Sequence, residues 1–169
     1  VFVMLPLTVV LILAVAFMYF FFTTARVEGA SMHPTLRDGD LVLVATSYET
    51  PVRGDVVVFT PTPGENGDEL VKRVVAVPDD VVEVERGSAI VNGFAEVGGY
   101  ELRTDPEDVS TLPYTVPDGH VFVLGDNRPD SLDSRFFGPV PVDVVVGRVV
   151  LVLWPADRFG IVDARLASD

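Results

Sequence analysis

The first 22 residues, Val1 to Phe22, carry no charge, and only Pro6 and Thr8 interrupt their apolar character. As a helix such a run would extend about 33 Å at ~1.5 Å per residue, enough for a hydrocarbon core of ~30 Å. A buried core helix is nearer ~11–12 residues and shows a polar stripe, which this run lacks. A cleaved secretory signal has an apolar core of ~7–15 residues followed by small residues. Here the run is longer and ends in Phe20-Phe21-Phe22. The sequence therefore predicts one uncleaved N-terminal transmembrane helix over 1–23, with Tyr19 and the phenylalanines at the interface, and a separate domain over 24–169.

Every charged residue lies beyond Phe22, so the net charge of −13 falls on that domain. Such a surface disfavours nucleic acid and anionic lipid as partners. It suits a saline medium under screening as well as an ordinary acidic domain. There is no cysteine, which excludes disulfides, a thiol nucleophile and a Cys-ligated metal. His33 and His120 are too few for a multi-His metal site, and no cofactor is expected. On the flank that follows the apolar run, Arg26 and Arg37 alone would place the domain in the cytoplasm.

After a polar connector from Thr23 to Glu28 the chain becomes Val-rich and punctuated by Gly and Pro. The segments 41–44, 55–59, 70–77, 81–84, 121–124 and 144–153 read as strands, separated by turn signals such as Arg37-Asp38-Gly39-Asp40 and Pro117-Asp118-Gly119. No strong amphipathic helix follows the anchor. The expected fold is all-β, a short-strand sandwich or partly open barrel. The polar stretch Gly98 to Pro113 reads as a loop within a peripheral excursion over about 85–118.

Lys72 is the only lysine, against eleven arginines. Strand alternation puts it on one face with Leu70, Val74 and Ala76. Among apolar neighbours an ammonium loses hydration and its pKa falls. An ordinary lysine near ~10.4 cannot serve as a base at neutral pH, and reaching ~7–8 costs roughly 3–5 kcal/mol, which a rigid buried site can supply. The alternative is a snorkelling strand lysine with its head in water. Ser31 lies in Val27-Glu28-Gly29-Ala30-Ser31-Met32-His33-Pro34-Thr35-Leu36. Small residues before it let a substrate backbone approach, and Met32 and Leu36 are placed to line an apolar pocket. A plain turn serine is the alternative. The Gly-x-Ser-x-His spacing lacks the helix that a nucleophile elbow requires. The third segment, Gly125-Asp126-Asn127-Arg128-Pro129-Asp130-Ser131-Leu132-Asp133-Ser134-Arg135-Phe136-Phe137-Gly138, packs acids, amides and arginines after an apolar strand. It is either a solvated loop or a network of paired charges that supports a site.

In this order, after an apolar N-terminal run, the three segments resemble bacterial-type signal peptidase I, the S26 family of Ser/Lys-dyad leader peptidases. The resemblance implies a membrane-bound serine endopeptidase with its domain on the extracytoplasmic side of the plasma membrane. It would cut secretory preproteins after a small residue, with another small residue two positions earlier. Ser31 would be the nucleophile and Lys72 the general base. Ser131 would orient the lysine amine, Asp133 and Arg135 would form a supporting ion pair, and Asp126 would be a structural acid. Val27, Met32, Leu36, Leu70 and Val71 would line the substrate pockets, with Gly29 beside the substrate backbone. Gly29 stands where some members carry a hydroxyl oxyanion donor, so a substitute donor is expected. Archaeal and endoplasmic-reticulum relatives use histidine in place of the lysine. A Ser-His-Asp hydrolase using His120 with Asp126 or Asp118 is a second enzymatic reading. A membrane-tethered β-domain that binds a protein partner is the non-enzymatic one. The discriminating geometry is the separation of Ser31 Oγ and Lys72 Nζ, roughly 2.6–3.2 Å for a dyad.

Overall fold

The computed structural model describes residues 4–48, 50–61, 69–96 and 111–162. The chain opens with helix α1 (Met4–Phe21). Strand β1 (Phe22–Arg26) follows without a linker. Eighteen helical residues rise only about 27 Å, and among the described residues no helix is long and apolar enough to cross a membrane. The expected span over 1–23 is shortened because Phe22, Thr23 and Thr24 leave the helix and pair antiparallel with Ala45, Val44 and Leu43 of β2 (Leu41–Ala45). The connector expected from Thr23 to Glu28 is thus a strand for most of its length. It is an edge strand, so its polar side chains face water and give no apolar alternation to read.

The remaining strands are β3 (Val56–Phe59), β4 (Leu70–Ala76), β5 (Val81–Glu85), β6 (Ser88–Val91), β7 (Phe94–Ala95), β8 (Tyr114–Thr115), β9 (His120–Leu124), β10 (Val140–Pro141), β11 (Val145–Trp154) and β12 (Gly160–Ile161). One sheet runs β1-β2-β11-β3-β4-β9-β10, with β12 added on β11. A second sheet runs β7-β6-β5-β8. The larger sheet keeps free ends, so of the expected forms the partly open one describes it. Its centre is buried on both faces. Val56 and Val58 of β3 pack with Val27, Met32, Leu36, Val42 and Val149. Val57 and Phe59 pack on the opposite side with Val74, Val121 and Val123. β3 is for that reason an unbroken apolar run, as a strand covered on both sides must be.

The smaller sheet occupies part of the excursion expected over 85–118. Two tight hairpins build it. Arg86 and Gly87, both at positive φ, join the paired residues Glu85 and Ser88. Asn92 and Gly93 do the same between Val91 and Phe94, the two-residue turn that matches strand twist. Its inner residues Val82, Val84, Ala89 and Val91 pack on Val75, Ala76, Phe122 and Leu124 at the end of the large sheet. Most of the polar stretch expected from Gly98 to Pro113 lies outside the described residues. A four-residue helix, α2 (Ser134–Phe137), follows β9.

Candidate active site

β4 lies between β3 and β9, and its register puts Lys72 opposite Val57 and Arg73 opposite Val56 and Leu124. Lys72 is 3% exposed. Burial pulls its amine below the ordinary lysine range; the Asp133 carboxylate opposes this, Arg135 lowers it further, and Asp126 and Asp130 oppose. The amine sits 2.7 Å from Ser31 Oγ, within the range a dyad requires.

The loop that carries Ser31 is held from several sides. Gly29 takes φ +80°, a conformation open to glycine, and its N–H donates to Asp38 Oδ1 at 2.9 Å. Ala30 accepts from the Asn127 side-chain amide at 3.1 Å. The Ser31 carbonyl accepts from the Asn127 N–H at 3.0 Å. Beyond the serine, Met32 and Leu36 are buried at 1% and 0% exposure and anchor the loop in the core. Arg158 donates to the Thr35 carbonyl at 3.1 Å and to Asp40 at 2.8 Å, which ties the chain after β11 to the same loop.

The segment after β9 is a network of paired charges, not a solvated loop. Asp126 is fully buried and accepts from Nε and Nη2 along one edge of the Arg73 guanidinium, at 2.8 and 2.7 Å, and from the Thr35 hydroxyl at 2.5 Å. Asp133 and Arg135 form a buried two-point pair at 2.8 and 2.9 Å. Asp133 also accepts the Gly125 N–H at 3.0 Å. Arg128 donates to the Gly125 carbonyl at 2.8 Å and pairs with Glu96 of the smaller sheet. Ser131, expected to orient the lysine amine, has its Oγ buried without a hydrogen-bond partner, so no bond to Lys72 is formed. Its hydroxyl instead packs on Gly125, where a Cβ would overlap Ser131 Oγ and stand 2.5 Å from the Ser31 carbonyl. Gly125 is therefore a close-approach glycine between the two serines. Its role has no side-chain signal in the sequence.

A groove of about 340 Å³ opens beside the pair, lined by Arg26, Val27, Glu28, Ser31, Met32, Glu69, Leu70, Val71 and Lys72. Val27, Met32, Leu70 and Val71 stand where the sequence puts substrate-contacting residues. Leu36 does not reach the groove: it is wholly within the core cluster below. Gly29 is not part of the lining either, and a Cβ there would meet nothing within 4 Å. Arg26, Glu28 and Glu69 were not expected. Each is exposed and reads in sequence as an ordinary surface charge. The alternative triad is not assembled. Asp126 is taken up by Arg73, and His120 Nδ1 is bonded to the backbone carbonyl of Asp118 at 2.9 Å. No cluster of three metal-ligating side chains occurs among the described residues.

The family model for signal peptidase, peptidase S26, matches residues 2–154. A probable signal peptidase I-2 of Synechocystis is 36% identical over 157 residues, which cover 89% of this chain and 71% of that protein. Signal peptidase IB of Staphylococcus aureus is 36% identical over 172 residues, covering 87% and 88%. A thylakoidal processing peptidase 1 of Arabidopsis thaliana is 36% identical, but the chain spans only 42% of its length. The crystal structure of a signal peptidase I from Enterococcus faecalis, 34% identical, matches 60% of this chain and 98% of that one at a TM-score of 0.48. The chain belongs to the signal peptidase family, peptidase S26.

Proposed function

We propose that this chain is a serine signal peptidase that cleaves secretory preproteins after small residues through a Ser31/Lys72 dyad. The observation that carries the reading is the 2.7 Å approach of a buried lysine amine to the hydroxyl of a groove-side serine. Burial favours the neutral amine, and only the neutral amine can accept a proton. The preprotein lies extended along the groove between the Val27 side and the Leu70 side. Ser31 Oγ attacks the scissile carbonyl as Lys72 takes its proton. The Ser31 backbone N–H donates to the oxyanion. The protonated lysine then gives its proton to the leaving amine, and an acyl-enzyme remains. Lys72 next takes a proton from water as it attacks the ester, and returns that proton to Ser31 Oγ as the acyl bond breaks and the acid product leaves. Small side chains at the residues that face the apolar groove floor, beside Met32 and Val71, are the ones this reading expects to be accepted.

The N-terminal apolar segment supports membrane tethering in this reading. Side chains of residues 9–13 and 17–20 are exposed, Tyr19 at 83%, and a contiguous exposed apolar surface of that kind marks a membrane or protein contact. Held at the extracytoplasmic face of the membrane, the domain meets substrates whose own apolar segments lie in the same bilayer, at raised effective concentration.

The test is cleavage of a preprotein by purified enzyme. Ser31→Ala and Lys72→Ala should each abolish processing while the protein stays folded. Lys72→Arg should fail as well, because a guanidinium stays charged. Processing retained in Lys72→Ala would rule the dyad out.

A further inference from the structure

The groove carries three ionisable groups that the dyad does not use. Arg26 and Glu28 flank Val27 on the segment that leads to Ser31, and Glu69 precedes Leu70 at the start of β4. Val27 is buried, whereas Arg26, Glu28 and Glu69 are exposed. The rim is thus charged and the floor apolar. An extended peptide presents successive side chains to opposite sides. If the residue that supplies the scissile carbonyl faces the floor, so does the residue two before it. The second and fourth residues before the scissile bond then face the rim. The rim is not balanced. Two carboxylates meet one guanidinium, and Arg26 is turned toward the Gly39 carbonyl, to which it donates at 3.4 Å. The net charge of −13 gives no remote compensation.

We propose that Glu28 and Glu69 are specificity-determining residues, which make the groove favour lysine or arginine over aspartate or glutamate at the second and fourth substrate positions before the scissile bond. This rests on the signal-peptidase reading above. Small residues on the floor select where the cut falls. The rim carboxylates select among chains that share that small-residue pattern, by attraction or repulsion at positions that must stay solvated. Exposed pairs are weak one at a time, and two acting on one side chain should give a preference of about fivefold at low ionic strength.

The test uses peptides alike except for Lys, Gln or Glu at the second position before the scissile bond, with kcat/KM measured for the full chain in detergent. The expected order is Lys over Gln over Glu, compressed by added salt. The readout is the Lys-to-Glu ratio, which cancels any loss common to all peptides. Glu28→Gln combined with Glu69→Gln should bring the ratio close to one, and Glu69→Lys, which changes the rim by the same two charges, should do likewise. Glu83→Gln combined with Glu85→Gln, on the smaller sheet, controls for the field of the whole acidic surface and should leave the ratio unchanged. A ratio unaffected by the groove variants, with the Gln peptide still cleaved by wild type, overturns this inference and leaves the peptidase reading standing. A ratio that falls equally in the β5 control assigns the preference to overall charge and overturns it too. Wild-type enzyme that cleaves none of the three overturns both.

Discussion

Arg73 donates through Nε and Nη2 to the two carboxylate oxygens of Asp126, at 2.8 and 2.7 Å, directly beside Lys72 in the chain. The pair is fully buried at 1% exposure on each side. It joins β4, which carries the lysine, to the segment after β9, and through Thr35 to the serine loop. Adjacent β4 residues therefore divide two tasks. One positions three segments by charge pairing, and the other presents an amine whose pKa burial lowers.

Removing one partner of that pair should cost far more than removing both. Arg73→Met leaves the Asp126 carboxylate buried with only the Thr35 hydroxyl, and a loss of about 3–5 kcal/mol is expected. Arg73→Met with Asp126→Leu should recover much of it, since an apolar pair of similar volume needs no compensation. Urea unfolding of the three proteins measures this. Equal midpoints for single and double variants would show that the pair does not bear on stability.

Gly125→Ala tests the close approach between the two serines. The new methyl would overlap Ser131 Oγ and stand 2.5 Å from the Ser31 carbonyl. Rotation of the hydroxyl would not relieve the approach to Ser131 Cβ, at 2.6 Å, and the carbonyl belongs to the Ser31 backbone itself. The serine loop must shift, and a displacement near 1 Å at a reacting group costs about 10²-fold. The loss should fall on kcat more than on KM, with an overpacking cost of about 1–3 kcal/mol in stability. Wild-type kcat in the Gly125→Ala enzyme would mean the loop accommodates the methyl freely.

The parts of this molecule that were legible in its sequence are those whose physics is local. The apolar β3 run and the alternation around Lys72 specify buried strands, whereas the meeting of the Ser31, Lys72 and Gly125–Gly138 segments is not local and was expected only from the resemblance to signal peptidase I. β1 was hidden because an edge strand with Thr23 and Thr24 facing water resembles a linker. Asn92-Gly93 and Arg86-Gly87 are turn signals that could have revealed the β5-β6-β7 hairpins within what the sequence marked only as a peripheral excursion. Leu36 shows the reverse error: an apolar side chain near a nucleophile fits a pocket wall or the core beneath it, and only packing tells the two apart. Gly125, Glu28 and Glu69 were unreadable because their roles come from what lies across the fold.

Asp80 supplies an acid-sensitive tie between the two sheets. Burial raises its pKa, but the Arg53 side chain, the Val77 N–H and the Asn92 amide outweigh that and hold it below the ordinary value of 3.8. A carboxylate with a lowered folded-state pKa contributes stability that is complete above its unfolded value and is lost as pH falls through the folded one. Asp80→Asn should therefore lower stability at neutral pH and remove part of the decline below about pH 4. Thermal melts from pH 7 to 2 check it, and a decline of undiminished steepness in Asp80→Asn would assign the acid sensitivity to other groups.

Lys72 imposes the opposite limb. Its amine titrates below the ordinary 10.5, chiefly through burial, with Asp130 among the carboxylates that hold it up. The proposed dyad mechanism requires the neutral form, so kcat/KM should rise with pH along one ionisation centred below that value. Asp130→Asn removes an exposed carboxylate that favours the ammonium and should move the limb to lower pH. The same group leaves a stability signature. Between the lowered folded pKa and the unfolded one near 10.5, the unfolded chain binds more protons, so folding stability should rise with pH across that window and level off on either side. Lys72→Met, which cannot titrate, should lose this rise and be more stable than wild type at neutral pH. The pH–rate profile and urea unfolding from pH 6 to 10.5 decide the matter together. A limb that moves upward in Asp130→Asn, or a stability rise that persists in Lys72→Met, would place the titrating group elsewhere.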